Sequence, residues 1–344
     1  MAYTTIDDPS AYFHTQLYTG DAQSSKVITN DANAGDFKPD WLWIKERSST
    51  SSHLLFDSTR GTNKKLTSNS TDSEETFAYL SSYDTDGFTI GTSDGAINDT
   101  QTYVAWQWKA NGGTTSSNTD GSITTTVQAN TTAGFSIVTY AGSNSASTVG
   151  HGLGAVPEVI FVKNRDASAN WKSYHKPILE THTLSLNGTG AKADQESFND
   201  TAPTSTVFSL LGNTDNVNRS GEDFVAYCFA PIQGYSKFGS YTGNGNADGT
   251  FVYTGFKPAW LMIKRTDAAG ENWQMFDNKR DGFNNGSSSN KMLKANVSET
   301  EDSNSTGFLD LLSNGFKIRE SAARHNASGG TYIYMAFAEH PFVS

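Results

Sequence analysis

The chain has 344 residues, 12% of them aromatic and only 18% charged, with a formal net charge of −11 and a single cysteine, Cys228. Such a length exceeds the size at which one hydrophobic core usually keeps growing, so two or three domains are expected. The acidic balance repels phosphate backbones and no run of Lys and Arg offers a local exception, which excludes nucleic acid as a partner, and one cysteine excludes an intrachain disulfide.

The chain begins "MAYTTIDDPS", with acidic residues and no apolar run of the signal-peptide kind. Nowhere do about 18 uncharged apolar residues follow one another, so no membrane insertion and no export by the usual route are expected. Tyr18-Thr19-Gly20 comes next, then "FKPDWLWIKERS" from Phe37 to Ser48. That segment is a short apolar run, rich in aromatic and β-branched residues and entered by a proline, which reads as a buried strand. An aromatic segment "HLLFDSTRG" follows, then "FTI" at Phe88 and "YVAWQWK" from Tyr103. In the last of these Val104, Trp106 and Trp108 share one strand face, and Tyr103, Ala105 and Gln107 the other.

Beyond a Ser/Thr-rich stretch from Thr114 to Ala133, which has room for one strand at "SITTTV", the same landmarks return twice in the same order. Tyr140-Ala141-Gly142 and Tyr241-Thr242-Gly243 open the copies, and "VIFVK" after Pro157 and "WLMIK" after Pro258 repeat the buried strand. "NWKSYHKPI" and "NWQMFDNKRDG" follow, then "FSL" and "FKI", and the copies close with "FVAYCFA" and "YIYMAFA". Triplets Val225, Tyr227, Phe229 and Ile333, Met335, Phe337 match Val104, Trp106, Trp108 in bulk but not in identity, as packed positions do. Turns such as "DTDG", "NGNADG" and "SNG" supply Gly, Asn and Asp where positive φ is needed, and no segment sustains a 3.6-residue apolar period.

The fold expected is therefore all-β, in three tandem β-sandwich, jelly-roll-like lobes of about 100 residues. Their bounds are 1–113 for the arm and first repeat, 114–133 for the connector, 134–234 for the second repeat and 235–344 for the third. Each lobe is expected to hold its own core, with Trp106, Tyr227 and Met335 at equivalent buried sites.

Chemistry is sparse. The seven histidines form no H-x-H or H-E-x-x-H pair, and no catalytic or cofactor-binding residue is assigned. The acids Glu74, Glu75, Glu299, Glu301 and Asp302 lie in Ser-rich loops and are expected to be solvated. Asn244, Asn246 and Asp248 alternate before Gly249 like the first half of a calcium loop, but the position of the closing glutamate falls on Gly255, so a plain turn is the simpler reading. Trp41, Trp43 and Trp260 sit in the most apolar strands and are expected in cores. Trp171 and Trp273, each following Asn in a polar segment, are the candidates for a surface that stacks on a ligand such as a glycan.

"AGFSIVTYAG", "VGHGLGAVPEVIFVKNRD", "GYSKFGSYTGNGNADGTFVYTGFKPAWLMIKRTD" and "ASGGTYIYMAFAEHPF" closely resemble a repeat family of tailed-bacteriophage virion proteins, marine phages in particular. Its members are often labelled tail fibre or uncharacterised structural protein, and the resemblance spans nearly the whole chain. It implies a place on the virion exterior, at the tail or the capsid surface, with other virion proteins as partners. It carries no catalytic residues.

Three functions follow as expectations: a tail-fibre or receptor-binding component touching a host glycan or protein; a capsid decoration or head-fibre protein; and, least favoured, a surface-polysaccharide depolymerase, against which the absence of parallel β-helix repeats speaks. The arm before the first repeat, with Tyr3, Ile6 and Tyr12, is the candidate virion anchor. The third repeat would then lie distal, offering loops around Asn244 to Asp248 and Asn284 to Asn290. A homotrimer and a monomer that mimics threefold symmetry both stay open.

Overall fold

The computed structural model describes residues 4–31, 36–212, 214, 216–280, 291–303 and 307–341. Among them the chain is nearly all-β, built of antiparallel sheets, with only single-turn helices such as Gly95–Asn98 and Ala323–Asn326. In the first repeat one sheet runs in the order Phe13–Thr19, Thr102–Trp108, Trp41–Glu46, Leu54–Asp57. In the third repeat the corresponding strands are Ser236–Thr242, Thr331–Pro341, Phe256–Arg265 and Gln274–Asp277, extended by Lys291–Lys294 and Asp302–Ser303.

The second repeat keeps this order through Phe135–Ala141, Asp223–Phe229, Val159–Asn164 and Lys172–His175, followed by His182–Ser185 and Ala193–Asp194. On its opposite edge two more strands, Thr125–Asn130 and Ser116–Asn118, pair outward from Phe135–Ala141. The strand foreseen at 122–127 thus lies a few residues later and belongs to this sheet. A smaller sheet accompanies each large one: Lys26–Thr29, Gly87–Ile90 and Leu80–Asp84; Ser147–Gly150 and Val207–Leu210; Phe251–Tyr253, Gly315–Ile318 and Leu309–Leu312.

Strand alternation divides the apolar residues between two kinds of core. Leu42, Ile44 and Ala105 pack with Phe88 and Ile90 of the small sheet in the first repeat; Ile160, Val162 and Ala226 pack with Phe208 and Leu210 in the second; and Leu261, Ile263 and Ala336 pack with Phe316 and Leu311 in the third. The other face of every large sheet enters one cluster common to all three. It joins Trp41, Trp43, Trp106 and Trp108 to Phe161, Tyr227 and Phe229 and to Trp260, Met335 and Phe337. Rings cross from repeat to repeat within it: Trp41 stacks on Tyr227 at 4.5 Å, and Trp108 meets Trp260 edge-on at 5.5 Å.

Trp41, Trp43 and Trp260 are buried, as expected. Trp106, Tyr227 and Met335 are buried at equivalent positions too, but in this shared core and not inside separate lobes. Both sheet faces are so apolar that each repeat's own small sheet covers only one of them, and the repeats must cover the other jointly.

The opening Tyr-x-Gly landmarks are tied down alike. Tyr18, Tyr140 and Tyr241 donate their hydroxyls to Ile97 O, Val217 O and His325 O at 2.9, 2.7 and 2.8 Å. The next residue is a buried asparagine each time. Asn98, Asn218 and Asn326 accept from the backbone N–H of Asp21, Ser143 and Asn244. The glycine is required by close approach: a Cβ on Gly20 would lie 1.6 Å from Asp99 O, and one on Gly243 2.4 Å from Ala327 O.

The post-proline strands also carry an unforeseen feature. Lys45, Lys163 and Lys264 are fully buried at equivalent places. Backbone carbonyls take their ammonium groups: Glu46 and Ser49 for Lys45, Thr71 and Ala169 for Lys163, Arg265 for Lys264. Burial pushes all three pKa values down to about 8.

Two expectations follow. Trp106→Ala removes a large ring from the shared core and should cost about 3–5 kcal/mol, with the whole chain still melting in one transition. Two melting steps, only one of them shifted, would show that the cores are separate. For the lysines, the unfolded chain holds its ammonium protons up to an ordinary pKa of about 10.4 while the folded chain releases them near 8. Stability should therefore rise with pH between 8 and 9.5, read from denaturant midpoints, before tyrosine ionisation intervenes. A flat profile would mean that these groups are hydrated in solution.

Candidate functional site: the seams between repeats

Where two repeats meet, the same bonds recur in a closed ring. Trp171 of the second repeat donates its indole N–H to Thr67 O of the first at 2.8 Å, and Trp273 of the third donates to Ser185 O of the second at 3.0 Å. At the third seam the equivalent residue is His53, whose Nε2 lies 3.0 Å from Lys294 O. Trp43 donates to His53 Nδ1 at 2.8 Å, which leaves Nε2 as the protonated nitrogen and the donor. Backbone bonds follow the same circuit: Glu74 N to Arg165 O, Lys192 N to Thr266 O and Glu301 N to Arg47 O, at 2.7, 2.9 and 2.8 Å.

Two of the seams hold a buried ionic network. Between the first and second repeats Arg165 grips Glu74 with two bonds of 2.9 and 3.0 Å, and Arg60 bridges Glu74 to Asp57, which also accepts from Tyr227 Oη at 2.7 Å. Between the third and first, Arg47 grips Glu301 at 2.8 and 3.0 Å, Arg280 bridges Glu301 to Asp277, and Trp106 Nε1 donates to Asp277 at 2.9 Å. The Asp57–Arg60 and Asp277–Arg280 side chains are fully buried. Burial alone would raise the Glu74 carboxyl, but hydrogen bonds from Arg165 and the charge of Arg60 outweigh it and hold the pKa at about 2.

The seam between the second and third repeats has none of this. His175, Ile178, Lys192, Thr266 and Met335 occupy the places of Asp57, Arg60, Glu74, Arg165 and Tyr227. Burial pushes His175 down to about 4, so it is neutral, with Nε2 on Tyr334 O at 3.0 Å and Nδ1 without a partner among the described residues. A cleft of about 280 Å³ opens here, lined by Ile178, Lys192, Ser240, Thr242, Thr266 and Thr331 among others.

A family model matches residues 8–341. The chain belongs to that family, described as a domain of unknown function (DUF7483). No curated protein and no solved structure matches it.

Several sequence expectations change on this geometry. Trp171 and Trp273 are buried, not surface aromatics, because each indole fills a seam and finds its partner in the next repeat. Glu74 and Glu301 are not solvated, being gripped by arginines, whereas Glu75 and Glu299 pair with lysines at the surface.

Of the anchor candidates, Tyr3 lies outside the described residues. Ile6 is buried in the shared core and is not free to grip another protein, and Tyr12, half-buried, packs against that core beside Tyr235. Both are apolar or aromatic residues next to an uncovered sheet face, which the arm helps to close.

Asn244 Oδ1 accepts from Asn246 N and from Asn326, Asn246 Oδ1 accepts from Asp248 N, and Asp248 pairs with Lys317. Those oxygens hold a turn together, and no cluster of three His, Cys, Asp or Glu suited to a metal occurs among the described residues. The loop 284–290 lies outside the described residues.

One motif escapes the sequence reading, Gly91-Thr92-Ser93-Asp94-Gly95, which has the G-x-S-x-G spacing of a nucleophile elbow. Among the described residues Ser93 has no histidine hydrogen-bonded to it, and Asp94 caps the single turn Gly95–Asn98. No helix among the described residues is long and apolar enough to cross a membrane.

Removing one member of a buried network strands a partner. Arg60→Ile leaves the buried Asp57 without its cation, while Glu74 keeps Arg165, and should cost about 3–5 kcal/mol in urea unfolding. Adding Asp57→Asn should restore a good part of that loss. A single variant as stable as the parent would show that the network is solvated.

Proposed function

We propose that the chain is a non-enzymatic structural component on the exterior of a tailed-phage particle, most plainly a tail-fibre or receptor-binding part. In this reading three β-sandwich, jelly-roll-like lobes, fused in tandem and closed around a common axis, form a stiff block that holds outer loops toward a host surface. The observation that carries it is the ring of equivalent seam bonds from Trp171, Trp273 and His53, whose role is to lock the repeats together. The buried arginines and carboxylates at two seams serve the same locking.

A single chain with this pseudo-threefold plan suits a threefold site on a particle, at a fibre tip or on the shell. Attachment through Ile6 is not part of the proposal, because the shared core occupies it. The small outer sheets and the turns at 244–248 remain the surfaces for host contact.

Gold-labelled antibody against the chain should decorate intact particles, and the position of the label separates tail from shell. Unlabelled particles, or polysaccharide cleaved by the purified protein, would overturn the assignment.

A further inference from the structure

We infer that the cleft between the second and third repeats binds a single carboxylated sugar ring. This inference stands on the three seams themselves and not on the place of the chain in a particle. Because the seams are equivalent, two of them serve as internal controls for the third. Each network seam balances two arginines with two carboxylates: Arg60 and Arg165 with Asp57 and Glu74, and Arg47 and Arg280 with Asp277 and Glu301. At the seam between the second and third repeats both acids and both arginines are replaced together, and the residue in the glutamate's place is Lys192. Lys192 is exposed, and its ammonium makes no ion pair or hydrogen bond among the described residues. The nearby Arg265 is paired with Asp267, and Lys176 with Glu158, so the cleft keeps one uncompensated positive charge.

Each of the other two seams has something in the place of this gap, and at the third–first seam it is Lys279, which reaches Asp31 at 3.0 Å. In the second repeat the edge of Phe135–Ala141 is covered by Thr125–Asn130, whose Gln128 reaches across the seam to Ser58 and Thr59 at 3.0 and 2.8 Å. In the third repeat the corresponding strand, Ser236–Thr242, is the edge of its sheet, as Phe13–Thr19 is in the first, with no strand paired on its far side among the described residues. Alternate N–H and C=O groups of an edge strand lack ladder partners and point away from the sheet. Ser240 and Thr242 add exposed hydroxyls along that rim, and Thr331 one that it shares with Thr266 at 2.8 Å, opposite Ile178 and Pro177.

A cation, hydroxyls, the backbone of an edge strand and a short apolar wall match a ring that carries hydroxyls, a carboxylate and a C–H face. A volume of 280 Å³ lies at the small end of ligand pockets, which suits one ring and not a chain of them.

Titration calorimetry with sodium glucuronate, glucose and a disaccharide ending in glucuronate tests this on the full chain at low salt. Glucuronate should bind at least tenfold more tightly than glucose, and more weakly as sodium chloride is added. Lys192→Glu, which restores the acid of the other seams, should weaken glucuronate at least tenfold, and Ser240→Trp should block the cleft from its exposed edge. Both positions are at the surface, so both variants should keep the parent's melting temperature. Disaccharide binding equal to glucuronate would assign the site to a terminal glycan unit, and loss of disaccharide binding to the free sugar acid. No heat with glucuronate, equal binding of glucose, or full binding by both variants would overturn the inference.

Discussion

Every large sheet in this chain is apolar on both faces, and each repeat brings a cover for only one of them. A repeat alone would leave Val104, Trp106 and Trp108, or their counterparts, in water, at a cost of roughly 25 cal/mol for every Å² of apolar surface. Three such faces turned inward cover one another, with the aromatic rings of one repeat lying against those of the next. The polar contacts at the seams then decide which repeat meets which, and in what register. Desolvation offsets much of what a buried ion pair contributes, so the arginine networks are better seen as alignment than as net adhesion.

Comparison of the seams also shows how such networks are lost. Breaking a buried pair by halves strands a charge, whereas exchanging the whole set for neutral residues costs little. The seam with His175, Ile178, Lys192, Thr266 and Met335 differs from the others at all five network positions at once, and its one charged member, Lys192, lies exposed. His175 keeps one directional contact, to the carbonyl of Tyr334, where Met335 has no donor to offer.

Much of the strand plan was legible because the sequence states it three times. Proline followed by an aromatic, β-branched run marks the buried strand in each copy, and the alternation in "YVAWQWK" already separates the two sheet faces. What alternation cannot say is which face looks inward to a private core and which to a common one, since both read as apolar. Trp171 and Trp273 were misread for a related reason. Their asparagine neighbours resemble surface, but Asn170 and Asn272 bond to Asn187 and Asn296, which in turn accept from the backbone N–H of the two tryptophans. The buried lysines were signalled by "WIK", "FVK" and "MIK", a charge kept in place three times, yet Lys is so seldom buried that the pattern reads as a strand end. Asn98, Asn218 and Asn326 were hidden because the residues around them differ from copy to copy.

The head-to-tail ring of seam bonds has a consequence for how such a protein can change. If three separate identical chains made the same closed ring, any substitution at a seam would appear three times, and a costly one would be tripled. Joined in one polypeptide, each seam is encoded once. One joint can then trade its arginines and acids for an open, positively charged gap while the other two go on holding the body shut.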